Sequence, residues 1–292
     1  GDERNLLLND RHVKFEKYLT DAFREKAVEF INESSQPFMM YLAYNAVHTP
    51  MQATDEDMAK FEGHPRQKLA AMTYALDRGV GTVIRGLKDS GKFDNTLIFF
   101  LSDNGGATTN QSSNYPLKGF KGNKFEGGHR VPYFVVWKNG IPAGKPYDGL
   151  VSSLDIFATA IDAASISKTR NRLDGVSLLP YLKGKKGEPH KVLYWRKMDT
   201  RAIRSGDYKL IITHGVDSVL YNIRRDPEEM NNLINKEPDL YRKLAKKLAK
   251  WEKNECIEPS WLEEGWRKIT NRYHQQLMHN EIKTAQDLYK KK

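Results

Sequence analysis

Leu97-Ile98-Phe99-Phe100-Leu101-Ser102-Asp103-Asn104-Gly105-Gly106 decides the fold. An unbroken apolar run this short, closed by polar turn residues, reads as a strand covered on both faces. Upstream, Leu69, Met72, Leu76, Val80, Val83 and Leu87 recur at spacings of three and four, which predicts a long helix from about Arg66 to Asp89. Earlier still, Phe38 to Tyr44 is a second apolar run, predicted as a buried strand that ends in Asn45-Ala46-Val47-His48-Thr49-Pro50. A helix is expected from Thr20 to Glu33, with Thr20 as its cap and Phe23, Ala27, Phe30 and Ile31 on one face. Downstream, Pro132 to Trp137 reads as another strand and Asp155 to Ala164 as a short helix. Helices alternating with such strands predict an α/β fold, a mostly parallel central sheet flanked by helices, with ligands beyond the carboxyl ends of the strands. His48 and the pair Asp103-Asn104 both fall at those ends.

The pattern changes after Lys183-Gly184-Lys185-Lys186-Gly187, and a boundary is placed there, giving domains 1–187 and 188–292. Val192 to Trp195, Arg201 to Arg204, Tyr208 to Thr213 and Val219 to Tyr221 are short strand candidates separated by Ser-Gly-Asp and His-Gly turns. Pro238 opens a helix with Tyr241, Leu244, Leu248 and Trp251 as its apolar stripe. The expectation is a small C-terminal antiparallel sheet packed with a helix, then a further helix and a tail ending in Lys290-Lys291-Lys292.

The 292 residues carry 47 Lys plus Arg against 37 Asp plus Glu, a net charge of +10, and 39% are hydrophobic. That is enough apolar material for a sizeable core. The single cysteine, Cys256, excludes an internal disulfide framework and a cysteine-clustered zinc site. No run approaches the roughly 18 apolar residues of a membrane span. The positive balance favours polyanions without choosing among them, and no nucleic-acid recognition motif accompanies it.

Asp103 and Asn104 present a carboxylate and an amide carbonyl where Gly105 and Gly106 let the chain turn sharply, which suits a hard cation but on its own is more often an ordinary turn. Calcium takes about six to eight oxygens, so two ligands need partners elsewhere. Between Leu117 and Pro132, Lys118, Lys121, Lys124, His129 and Arg130 stand among glycines, a loop that either cradles an oxyanion or is simply solvated. His48 reads as a proton donor, an anion ligand or a loop histidine making structural hydrogen bonds.

Taken in order, these segments resemble the formylglycine-dependent sulfatases of the alkaline-phosphatase-like superfamily. The resemblance rests on Tyr18-Leu19-Thr20-Asp21, Pro37-Phe38 leading to His48-Thr49-Pro50, Ser102-Asp103-Asn104-Gly105, and Lys121-Gly122 with Glu126-Gly127-Gly128 and Arg130-Val131-Pro132. It continues through Asp174 to Pro180, Arg204 to Leu210 and Leu220-Tyr221-Asn222. It implies that Asp103 and Asn104 are metal ligands for Ca2+, with Mg2+ as the alternative. It implies that Lys121 holds the sulfate and offsets charge on the leaving oxygen, and that His48 contacts the sulfate and protonates the leaving group. Lys118 and His129 are expected to reach the sugar or the sulfate, and Arg130 to support the loop.

The nucleophile of that family lies in a Cys-x-Pro-x-Arg or Ser-x-Pro-x-Arg motif, which this chain does not contain; Cys256-Ile257-Glu258-Pro259-Ser260 is only superficially similar. The chain is therefore expected to be the C-terminal portion of a longer sulfatase, with the formylglycine upstream, and to be inactive alone; loss of catalysis in a natural protein is the other explanation. The resemblance further implies export, whether periplasmic, secreted or lysosomal. The basic loop favours a sulfated polysaccharide as substrate. A noncatalytic binder of sulfated glycans, and a phosphodiesterase or phosphatase of the same superfamily, are the competing readings.

Overall fold

The computed structural model describes residues 6–14, 16–110, 112–166, 172–256 and 263–290. The chain divides into two compact units, residues 1–96 with 137–139 and residues 97–136 with 140–292, so the boundary expected at Gly187 lies inside the second. No helix is long and apolar enough to cross a membrane among the described residues.

The first unit holds a short antiparallel hairpin, β1 (Leu7–Leu8) and β2 (Arg11–His12), and three helices, α1 (Leu19–Glu33), α2 (Asp55–Ala59) and α3 (Gln67–Asp89). Helix α1 packs on α3. Ala27 and Ile31 are buried, and at Gly86 of α3 a Cβ would lie 3.1 Å from Val28 Cγ2, so the glycine permits the close approach. The expected cap at Thr20 is corrected: Tyr18 stands at the N-cap, and Thr20 is buried within the first turn. Helix α2 is capped by Thr54, whose hydroxyl accepts from the Asp57 N–H. Arg78 of α3 grips the buried Asp57 carboxylate at both oxygens, 2.6 and 2.9 Å, tying α2 to α3.

Phe38 to Tyr44 is the second correction. It forms no strand with any described residue, and Tyr41 is 88% exposed. Apolar composition alone does not make a strand; the backbone needs a neighbour to complete its ladder. The segment is nevertheless moored, because Tyr44 reaches α3 at Gly79, where a Cβ would lie 3.2 Å from its hydroxyl.

The second unit begins with β3 (Ile98–Leu101), followed by α4 (Glu126–His129), β4 (Tyr133–Val136), α5 (Asp155–Ala163) and α6 (Leu179–Leu182). The α/β class is as expected; strands β3 and β4, the one strand pair of this layer among the described residues, pair antiparallel, with Ile98 opposite Val136. Then β5 (Val192–Lys197), β6 (Thr200–Ser205), β7 (Tyr208–Thr213) and β8 (Asp217–Asn222) form an antiparallel meander in sequence order. Helices α7 (Pro238–Glu255), α8 (Glu264–Met278) and α9 (Asp287–Lys290) complete the unit. Of the expected C-terminal features, Ile257 to Ser260 and the final Lys291-Lys292 lie outside the described residues.

The meander is covered on both faces, and the alternation of side chains sorts its residues between them. Ile203, Leu210 and Leu220 pack against Leu244 and Leu248, the stripe read from the sequence of α7. Ala202, Ile211, Val219 and Tyr221 point the other way and pack against Phe120, Phe125 and, from α8, Leu277 and Met278. The glycine-rich loop between β3 and β4 is therefore seated on the sheet by two phenylalanines, each contributing about 1.5–3 kcal/mol by burial.

Candidate active-site cleft

The phenylalanine anchors fix which loop side chains point outward. Phe120 and Phe125 are buried; Lys121 and Lys124, beside them, face a cleft that Asp103, Asn104, His129 and Arg130 also line. The backbone stitches the two segments together. Gly105 N–H donates to Gly128 O at 3.0 Å and Lys121 N–H donates to Gly106 O at 3.0 Å. A Cβ at Gly105 would lie 1.8 Å from Gly127 O, so only glycine allows the end of β3 to reach α4. Asn114 pins the turn further, its Oδ1 accepting from Gly106 N–H at 2.8 Å and its Nδ2 donating to Gly119 O at 3.0 Å.

The Asp103 carboxylate accepts a hydrogen bond from the Asn104 amide, which leaves the amide carbonyl as the second hard oxygen of the pair. Those donors fit calcium or magnesium chemistry but supply two of the oxygens required. Among the described residues no group of three His, Cys, Asp or Glu side chains is placed to hold a metal.

Lys118 is a correction. Expected to reach a ligand, its side chain is completely buried, donating to Glu229 O at 3.0 Å and to Asn280 Oδ1. Its ammonium lies 5.0 Å from the Phe125 ring centre and 5.7 Å from that of Tyr221. Burial pulls its pKa down to about 8. It is a tether that ties the loop to the C-terminal residues, in which Gly119 N–H also donates to Lys283 O at 2.7 Å.

His129, at the end of α4, stacks on Trp195 with ring centres 4.5 Å apart, and its Nε2 donates to Lys124 O at 3.2 Å. Burial, with the positive Lys209 nearby, lowers its pKa to about 3 despite Glu126. It therefore offers the cleft a neutral ring. Its imidazole resonances are expected to stay fixed between about pH 8 and pH 5, where an unperturbed histidine titrates. A titration of His129 near its ordinary value in an NMR pH series would overturn this assignment. Arg130 is exposed, with Nη1 3.7 Å from Glu126 Oε2.

His48 belongs to the first unit. It is exposed, its Nδ1 donates to Thr49 O at 2.6 Å, and its backbone N–H donates to Asn45 O at 2.8 Å.

Two features escaped the sequence reading. One is a buried charge cluster beneath the loop. Lys209 of β7 sits 2.8 Å from Glu126 Oε1 and 2.9 Å from Glu229 Oε1, and Glu126 N–H donates to Glu229 Oε2 at 2.6 Å. Burial opposes ionisation of both acids; Lys209 with His129 and Arg204 overcomes it at Glu126, whose pKa falls, whereas at Glu229 burial prevails and the pKa rises. The other is Lys197, at the end of β5. It lines the cleft on the face that carries Trp195, and extending the alternation from Trp195 would have placed it there.

Residues 2–166, more than half of the chain, match the family described as Sulfatase, and residues 121–254 match the C-terminal region of N-sulphoglucosamine sulphohydrolase. The chain belongs to the sulfatase family, within the alkaline-phosphatase-like superfamily. It is 39% identical over 201 residues to Uncharacterized sulfatase YdeN of Escherichia coli K12, covering 65% of this chain and 36% of that protein. With human N-acetylgalactosamine-6-sulfatase it shares 30% identity over 201 residues, 66% of this chain and 38% of that one. The chain thus spans well under half the length of these curated relatives. Among solved structures, that of Ps i-CgsB in complex with k-i-k-neocarrahexaose superposes with a TM-score of 0.81 at 36% identity, covering 91% of this chain and 61% of that one.

Proposed function

We propose that this chain is part of a calcium-dependent, formylglycine-dependent sulfatase that hydrolyses sulfate esters on a sulfated polysaccharide. The observation that carries the reading is the stitching of the Asp103-Asn104 strand end to the Lys121 loop on one cleft. The names of its relatives support the substrate class: one is an N-acetylgalactosamine-6-sulfatase, and one structural neighbour is a complex with k-i-k-neocarrahexaose. The positive surface balance agrees with it.

When present, the formylglycine hydrate supplies the nucleophile for attack at sulfur, and the dication offsets negative charge on the sulfate oxygens. The remaining work falls to this chain. The Lys121 ammonium holds a sulfate oxygen and offsets charge as the bridging bond breaks; His48 contacts the sulfate and delivers a proton to the departing alcohol. The Asp103 carboxylate and Asn104 carbonyl hold the cation, completed by acidic residues of the upstream part. The neutral His129 ring and Arg130 border the sugar. Export of the whole protein accords with a substrate of this size.

The test is release of inorganic sulfate from sulfated galactan and glycosaminoglycan oligosaccharides by the intact protein, measured by ion chromatography beside a phosphate ester control. Sulfate release lost on chelation and restored by calcium is expected. Phosphate ester turnover without sulfate release would refute the reading.

A further inference from the structure

The Lys197 ammonium lies over the backbone next to Lys121. Gly122 adopts φ of +97°, and a Cβ built there would come within 3.2 Å of Lys197 Nζ. Lys124, two residues further along the loop, belongs to the same cluster, and all three lysines line the cleft. Burial lowers the pKa of Lys124 to about 8, with Lys197 and then Lys209 adding to the effect. Burial and then Lys121 lower that of Lys197. Neither Lys124 nor Lys197 has a carboxylate partner among the described residues. Glu126, the acid of this loop, is held instead by Lys209. Behind them the His274 ring is fully buried, and its Nε2 has no hydrogen-bond partner among the described residues. Burial holds its pKa down to about 4 despite the bond to Thr270 O, with Lys124 and Lys197 contributing. The loop and the end of β5 thus present two partly desolvated like charges, Lys124 and Lys197, with no carboxylate paired to either among the described residues. Such an arrangement costs stability and persists where a ligand offsets it.

We propose that Lys124 and Lys197 form a second anion position beside Lys121, which receives an additional sulfate group of a multiply sulfated sugar. This rests on the reading that Lys121 holds the sulfate under attack. The first position lies on the loop alone, whereas the second joins the loop to the end of β5, so the spacing between sulfates on the sugar is tested by the protein. A monosulfated sugar fills the Lys121 position and leaves the Lys124 and Lys197 ammonium groups without a counter-anion.

Calorimetric titration of the full chain with N-acetylgalactosamine 6-sulfate and N-acetylgalactosamine 4,6-disulfate tests the proposal. The wild-type chain is expected to bind the disulfate about tenfold more tightly, the scale of one charge-assisted contact. In the Lys124→Gln/Lys197→Gln variant that preference is expected to fall to about equality, while its melting temperature equals or exceeds that of the wild type because repulsion has been removed. Equal affinity of the wild-type chain for the two sugars, or a preference that survives in the double variant, overturns the proposal. Lys121→Ala separates it from the underlying reading: unchanged binding of the 6-sulfate removes the role of Lys121, whereas a disulfate preference still erased by the double variant keeps the second position.

Discussion

Replacing Lys121 by Ala in the intact sulfatase is expected to lower kcat/KM for a sulfated substrate by about 10²- to 10³-fold, the usual cost of removing one donor aimed at developing negative charge. The melting temperature should not change, because the Lys121 side chain is exposed and the loop is held by its neighbours. Phe120 and Phe125 remain buried, and the backbone bond from residue 121 to Gly106 O survives truncation. Loss of activity with retained stability therefore reports chemistry and not folding. Turnover indistinguishable from wild type would remove Lys121 from the mechanism, and with it the functional reading of the cleft.

The largest effect on stability is expected at Lys209. Its side chain is wholly buried between Glu126 and Glu229. Lys209→Met keeps most of the volume but leaves two carboxyl groups facing each other without a cation, and breaking a buried pair from one side costs about 3–5 kcal/mol. The denaturant midpoint should fall accordingly, with the steepest loss above neutral pH, where both acids are driven to ionise. A second substitution, Glu229→Gln, should recover part of the loss by removing one of the orphaned charges. A Lys209→Met protein that unfolds at the wild-type denaturant concentration would show that the cluster is not a structural element.

The antiparallel meander and α7 were legible because local chemistry writes them plainly. Turn residues at Ser205-Gly206-Asp207 and His214-Gly215 separate runs of alternating character, and Leu244 and Leu248 recur with helical spacing. Phe38 to Tyr44 was misread because strand formation is a property of pairs, and a sequence shows only one member. Lys118 and Lys121 illustrate a different limit. Both are lysines in one glycine-rich loop, with no period to separate them, yet the first is buried under two aromatic rings and the second faces the cleft. Only the seating of Phe120 and Phe125 on the sheet decides which way each points. The Asp103-Asn104 pair was legible as a strand terminus, but its junction with the Lys121 loop depends on backbone bonds across the intervening residues.

The floor under the glycine-rich loop is built from Glu229, Asn280 and Lys283, the last two lying beyond the region that matches the N-sulphoglucosamine sulphohydrolase C-terminal family. Substitutions at Asn280 or Lys283 therefore act on the seating of the loop from behind, at positions that do not line the cleft.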